Sequence, residues 1–322
     1  MDFKRSVIIT GGTMNMGYHA ALTIARQHPE WLVVLSSRSD SKHAADAINT
    51  TLSQKNTIYL PLDLSSTQNI RTYAKDWTLK GYPPIQALLL NAALQFPGEA
   101  EFTEDGIEKT FAITHAGHAL LFHLLVPHLA TGARVVVTAS GVHDPKQPTG
   151  MPHPVYTTAE ALAHPPTELA KGDGRVHYVN TKLSNVLWTY ALQKRLDRAV
   201  PEHGVSVNSM DPGLMLGTGL TREYSPIMRW VWTHLFPKIM PILRLAFGAA
   251  NIKTPQQSGE ALARLAMAEE FASVKGKYFQ GTKEQESSVE SYEVKKQDDL
   301  WEWTVKFAAR DSEELAQFER FA

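Results

Sequence analysis

Tyr178 and Lys182 lie four positions apart in the stretch Tyr178-Val179-Asn180-Thr181-Lys182. On a helix that spacing puts both side chains on one face, about one turn apart. A phenol with a pKa of about 10 is a poor acid at neutral pH. An ammonium beside it favours the phenolate and brings it toward working pH. The pair therefore has the chemistry of a proton donor and the cation that tunes it. The same spacing also arises on solvated helix faces, so the rest of the chain has to supply what such a donor needs.

The elements around the pair do so in order. Arg5 to Thr10 reads as a short buried strand, and Thr10-Gly11-Gly12-Thr13-Met14-Asn15-Met16-Gly17 leads from it into helix-like Tyr18 to His28. Strand, glycine-rich turn and helix suit a dinucleotide: glycine lets backbone approach a pyrophosphate, and the helix N-terminus attracts the anion. Trp31 to Ser36 is a second strand, ending in Ser37-Arg38 with no acid at its tip. An acid there would bind the ribose 2′-OH of NAD, whereas Arg38 can receive the 2′-phosphate of NADP. Thr57 to Leu62 is a third strand and runs into Asp63-Leu64, after which Ser65 can cap a helix. Ile85 to Leu90 is the fourth, closed by Asn91-Ala92-Ala93, and a long helix is expected from Glu104 to Leu129. Arg134 to Thr138 is the fifth, with Ser140 just beyond it. Val205 to Met210 is the sixth, ending at Asp211-Pro212-Gly213, and Lys277 to Phe279 is the last.

This alternation predicts an α/β fold over residues 1–322, one doubly wound, mostly parallel sheet of seven strands with helices on both faces. Ligands of such sheets bind beyond the strand C-termini. Gly11, Arg38, Asp63, Asn91, Ser140 and Pro212 all fall there, and random polar residues would not sort to one edge. Residues 141–177 form a proline-rich insertion, read as one wall of a substrate cleft. Residues 214–250 are apolar and aromatic, and read as a helical lid or substrate-binding segment, as a subdomain packed on the core, or as a patch that meets a membrane. Residues 285–322 are charged and amphipathic, and are expected as surface helices.

Composition narrows the classes. The chain is 43% hydrophobic with a formal net charge of -1, so no basic field points to nucleic acid. It contains no cysteine, which excludes disulfides, thiolate metal sites and a cysteine nucleophile, and fits a cytoplasmic protein. The N-terminus runs straight into the first strand and leaves no room for a signal peptide. No apolar run of about 18 residues or more predicts a membrane span. His115 and His118 are read as polar positions on a packed helix rather than metal ligands, and His143, His153 and His164 as surface residues.

With these residues in place, the chain resembles the short-chain dehydrogenase/reductases, a family of Rossmann-fold oxidoreductases, and within them the retinol-dehydrogenase-like and protochlorophyllide-reductase-like branch. The family's glycine fingerprint matches Thr10 to Gly17, its Asn-Ala-Gly turn Asn91-Ala92-Ala93, its serine Ser140, its Tyr-x-x-x-Lys Tyr178 and Lys182, and its Pro-Gly Pro212-Gly213. The stretch Asp211 to Glu223 is similar to the protochlorophyllide-reductase-like branch. The resemblance implies catalysis by Ser140, Tyr178 and Lys182. It implies NADP bound by Gly11, Thr13, Asn15, Met16, Gly17, Arg38, Asp63, Leu64, Asn91, Ala92, Tyr178, Lys182, Pro212, Gly213 and Thr218. The implied reaction is carbonyl reduction or alcohol oxidation on a bulky hydrophobic small molecule, with a homodimer as one assembly seen in the family. Three departures stand out. Asn15 replaces the middle glycine, Thr114 stands where an asparagine usually serves the proton relay, and the cysteine of the light-driven chlorophyll enzymes is missing. A non-catalytic NADP-binding sensor or scaffold is the rival reading.

Overall fold

β-branched and apolar runs alternate with amphipathic ones, and each becomes the element its period suits. In the computed structural model, residues 3–215 and 251–321 are described, together with Ser225, Trp230, Val231 and His234. The strands are β1 (Arg5–Thr10), β2 (Trp31–Ser37), β3 (Thr57–Pro61), β4 (Ile85–Leu90), β5 (Leu129–Thr138), β6 (Ser206–Asp211), β7 (Leu214–Met215), β8 (Ile252–Lys253), β9 (Tyr278–Gln280) and β10 (Lys283–Gln285). The main sheet runs β10-β9-β6-β5-β4-β1-β2-β3. All its pairings are parallel except β9–β10. It has eight strands, not the seven expected. After β9 the chain turns at Gly281, whose φ is +63°, and adds β10 as an antiparallel edge. The short pair β7–β8 lies apart from this sheet.

Side chains alternate across each strand, so each face receives every second residue. Ile8, Leu88, Val135 and Val137 pack on one face against α3 (Thr67–Lys80), α5 (Gly117–Leu125), α8 (Arg175–Ala199) and α10 (Val294–Ala308). Val7, Ile9, Leu89 and Val136 pack on the other against α1 (Asn15–Gln27), α2 (Ala44–Leu52) and α9 (Pro255–Met267). α5 continues a short α4 (Lys109–Phe111) through a π-helical stretch, Ala112–Ala116. By length and composition the combined segment Lys109–His128 could cross a bilayer, but 83% of its apolar window is buried inside the protein, as in a core helix.

Two expectations change. Ser66, not Ser65, caps α3, its hydroxyl accepting from Asn69 N at 3.2 Å. Ser65 instead bonds Asp63 through both its N–H and its hydroxyl, at 2.9 and 2.6 Å. The C-terminal helices are not confined to the surface: α10 buries Leu300, Trp301, Val305 and Ala308, and α11 (Ser312–Phe318) buries Phe318. The insertion 141–177 contains α6 (Ala159–Ala163) and α7 (Thr167–Ala170) and is docked rather than loose. Asp299 on α10 accepts from the Tyr156 hydroxyl and from Ala159 N, both at 2.7 Å.

Candidate active site

The sheet edge that the sequence singled out is assembled. Gly11 to Gly17 follow β1, Arg38 follows β2, Asp63 and Leu64 follow β3, Asn91 and Ala92 follow β4, Ser140 follows β5, and Pro212 and Gly213 follow β6. Parallel pairing puts all these ends on one side. Thr218 and most of the 214–250 segment fall outside the described residues.

The glycine turn is built for a close approach. Gly11 has a φ of +65°, and Asn15, at +49°, holds the left-handed backbone that asparagine tolerates. A Cβ on Gly17 would collide with the Gly11 carbonyl oxygen, so only glycine lets α1 start so near β1. The 13-residue α1 has no acidic side chain in its first turn to compete with an anion. Met16 and Thr13 are buried beside the turn. Asn91 pins it from β4, donating through Nδ2 to Thr10 O at 2.8 Å. Such a cradle fits the pyrophosphate of a nicotinamide dinucleotide. Arg38 is exposed just beyond β2.

Thr10 organises the floor of the site. Its hydroxyl oxygen accepts from Asn91 N at 2.8 Å and Ala92 N at 3.0 Å, and lies 2.8 Å from His118 Nε2. His118 Nδ1 is 3.1 Å from Thr114 O, a carbonyl that can only accept. Nδ1 therefore carries the proton, and Nε2 accepts a hydrogen bond from the Thr10 hydroxyl, which also lies 3.3 Å from Leu89 O. Burial holds His118 neutral, with its pKa pulled down to about 4. His115 is likewise buried, pulled down to about 3, and its Nε2 lies 3.1 Å from the Thr304 hydroxyl on α10. Both histidines are core polar groups with protein partners. Among the described residues no cluster of three metal-ligating side chains occurs.

Tyr178 and Lys182 sit on α8, 7% and 1% exposed. Lys182 Nζ is 5.6 Å from the centre of the Tyr178 ring and donates to Thr138 O at 2.8 Å. Asn185, one turn on, donates to the same carbonyl at 3.1 Å. Burial pulls the Lys182 pKa down to about 7, and the charge of Asp211 opposes that fall. Ser140 opens the loop after β5, two residues beyond Thr138. Thr114 lies in the π-helical stretch, fully buried, and its hydroxyl finds no hydrogen-bond partner among the described residues.

His143, expected on the surface, is 1% exposed. Its Nδ1 lies 2.7 Å from Ser140 O, and its Nε2 accepts from Ser288 N at 3.0 Å. The carbonyl forces the proton onto Nδ1, and the backbone N–H needs the lone pair on Nε2. His143 is thus a neutral clamp between the serine loop and the C-terminal region. Its partner is 145 positions away in sequence, so no local signal marks it. His153 and His164 are exposed, as expected.

A fold and a site of this kind are those of a Rossmann-type dinucleotide-binding protein. The short chain dehydrogenase family model matches residues 5–163, and a second, described as the AcuH dehydrogenase domain, matches residues 222–317. The chain is 30% identical over 275 residues to a WW domain-containing oxidoreductase of Danio rerio, covering 85% of this chain and 61% of that relative's length. It is 26% identical over 323 residues to the chloroplastic protochlorophyllide reductase of Cucumis sativus, covering 94% of this chain and 77% of the relative. Among solved structures, an angucycline C-6 ketoreductase with bound NADP superposes with a TM-score of 0.58 at 14% identity, over 87% of this chain and 95% of that one, a likeness of fold. The chain belongs to the short-chain dehydrogenase/reductase family, in its retinol-dehydrogenase- and protochlorophyllide-reductase-like branch.

Proposed function

We propose that this protein is an NADP(H)-dependent carbonyl reductase or alcohol dehydrogenase acting on a bulky hydrophobic small molecule. The observation that carries the reading is the buried pair on α8, with Lys182 Nζ 5.6 Å from the Tyr178 ring, beside the Ser140 loop. A solvated surface coincidence would not bury a lysine to 1% exposure at a strand end.

When bound, the nicotinamide nucleotide supplies or accepts the hydride. The glycine turn, with Thr13, Asn15 and Met16, holds the pyrophosphate. Arg38 meets the 2′-phosphate, Asp63 and Leu64 the adenine, and Asn91 and Ala92 the adenosine ribose region. Pro212, Gly213 and Thr218 flank the nicotinamide end. Ser140 donates a hydrogen bond to the substrate oxygen, and Tyr178 Oη gives that oxygen a proton as the carbonyl becomes an alcohol. Lys182, as an ammonium, stabilises the phenolate left behind until solvent returns the proton. In oxidation the same proton runs the other way.

The docked 141–177 insertion and the apolar 214–250 sequence favour a bulky hydrophobic substrate over a small polar one. Cytoplasmic location and a homodimer belong to the same proposal, and no nucleic-acid partner is part of it.

NADPH oxidation over a panel of hydrophobic ketones and aldehydes, run beside NADPH binding, tests the reading. Turnover by the wild type that drops about 100-fold or more in Tyr178→Phe supports it. Tight NADPH binding with no turnover on any carbonyl would favour the sensor or scaffold instead.

A further inference from the structure

One buried carboxylate beside the catalytic pair has no part in the scheme above. Asp211 ends β6 and is 2% exposed. Thr138 pairs with Met210 across β5 and β6, and Ala139 N donates to Met210 O at 2.8 Å. Asp211 is thus one residue along from the strand partner of the carbonyl that holds Lys182.

Its carboxylate is fixed at both oxygens. Oδ1 accepts from Gly213 N at 3.0 Å and Oδ2 from Asn251 Nδ2 at 2.6 Å. The first bond shapes the Pro212-Gly213 turn, where Gly213 has a φ of +82°. The second ties that turn to the returning chain, where Asn251 O also accepts from Leu214 N at 2.8 Å. The Ser140 loop lies directly against the same group: a Cβ built on Gly141 would stand 3.1 Å from Asp211 Oδ2. Asp211 therefore touches the serine loop and the turn beside the nicotinamide end of the site.

We propose that Asp211 is a positioning residue that keeps Lys182 an ammonium and fixes the Pro212-Gly213 turn against the Ser140 loop. Its importance for turnover rests on the reductase reading; its electrostatic part does not.

The surrounding charges support this. Lys182 lies over the Tyr178 ring of its own helix, the charge of Asp211 on β6 acts on it, and it acts in turn on His118 on α5. The charge of Asp211 acts on Lys182, on Lys253 of β8, on His143 and on Tyr278 of β9. Burial lowers both His118 and His143 and raises Tyr278, so these three are neutral near pH 7. The groups left to act on one another through charge are Asp211, Lys182 and Lys253. Burial works against the charge of each lysine, and Asp211 is the group that works for it.

Two variants with opposite expected signs separate this role from a structural one. In Asp211→Asn the new amide oxygen still accepts from Gly213, and Asn251 can turn its Oδ1, which has no hydrogen-bond partner among the described residues, toward the new amide N–H. Contacts are kept and the charge is lost. Lys253→Met removes the competing cation from a half-buried position. The readout is the 13Cε resonance of Lys182 followed over pH in lysine-labelled protein, assigned by its loss in Lys182→Met. The Lys182 midpoint is expected to fall by about one pH unit or more in Asp211→Asn and to rise in Lys253→Met. A midpoint unmoved in both variants, or moved the same way in both, overturns the proposal. If Asp211→Asn does not fold, an unmoved midpoint in Lys253→Met overturns it alone. The titration needs no turnover, so an inactive wild type would count against the reductase reading and not against this one.

Discussion

Lys182 and Asn185 end on one oxygen, the carbonyl of Thr138, at 2.8 and 3.1 Å. The strand end thus holds the Lys182 side chain through a carbonyl that a second residue also reaches. Lys182→Met keeps the stem and removes the charge, while Asn185 continues to satisfy Thr138. Folding lowers the Lys182 pKa from its ordinary value of 10.5 to about 7, so the unfolded chain binds more protons between those limits. The burial penalty is fully present below pH 7 and relaxes as pH rises through that window. Lys182→Met is therefore expected to be more stable than wild type at pH 7, by about 2 kcal/mol. The difference should shrink toward pH 10, while kcat falls about 100-fold or more. Melting curves at pH 7 and 9.5, with steady-state kinetics, check both halves.

Arg38 is expected to set cofactor choice. Arg38→Ala should weaken NADPH about tenfold or more, the loss of one charge-assisted contact, and leave NADH unchanged. Calorimetric titration with each dinucleotide measures it, and equal losses for the two would remove the phosphate role.

The glycine cradle leaves no room for a methyl group at position 17. Gly17→Ala is expected to cost about 1–3 kcal/mol of stability and to abolish the thermal shift that NADPH gives. Melting with and without NADPH reads both effects together.

His143 joins Ser140 O to Ser288 N. His143→Phe keeps the ring and removes both side-chain bonds, leaving the buried Ser288 N–H unpaired while Ser140 O keeps only its 3.2 Å bond from His143 N. An expected loss of about 1–3 kcal/mol follows, with a lower kcat because the serine loop loses its tie to Ser288. Urea unfolding and turnover of the same preparation check it, and an unchanged kcat would confine His143 to stability.

Acid should unfold this protein through its buried imidazoles. His115, His118 and His123 have pKa values lowered to about 3, 4 and 3 by burial. The unfolded chain takes up their protons first, so stability is present above pH 6.5 and lost as pH falls toward the folded values. His123 stacks on Phe318 at 4.7 Å and tolerates another ring. Between pH 6.5 and 5, His123→Phe should lose roughly 2 kcal/mol less than wild type in urea unfolding.

β1, β2 and β4 were legible because nearly every residue of each is buried, and such strands read as largely apolar runs. Gly11, Asn91, Ser140 and Pro212 were legible because each follows such a run. β10 was not, since Lys283-Glu284-Gln285 is polar and owes its pairing to the turn at Gly281. The buried face of α10 left a trace that charge obscured: Leu300, Trp301, Val305 and Ala308 recur at helical spacing. His143 and Asp211 left none. Their roles come from Ser288 and Asn251, partners that only the folded chain brings near.

The last part of the chain reaches back to the site at three places: Ser288 to His143, Asp299 to Tyr156 and Ala159, and Thr304 to His115. This fixes an order in time. During synthesis Tyr178, Lys182 and Ser140 emerge well before the residues that clamp them. A ribosome-bound chain carrying every motif residue has still to gain the contacts that hold the serine loop and the insertion wall. A premature stop after Gln285 would yield a product that carries the motif residues and lacks the partners of His143, Tyr156 and His115.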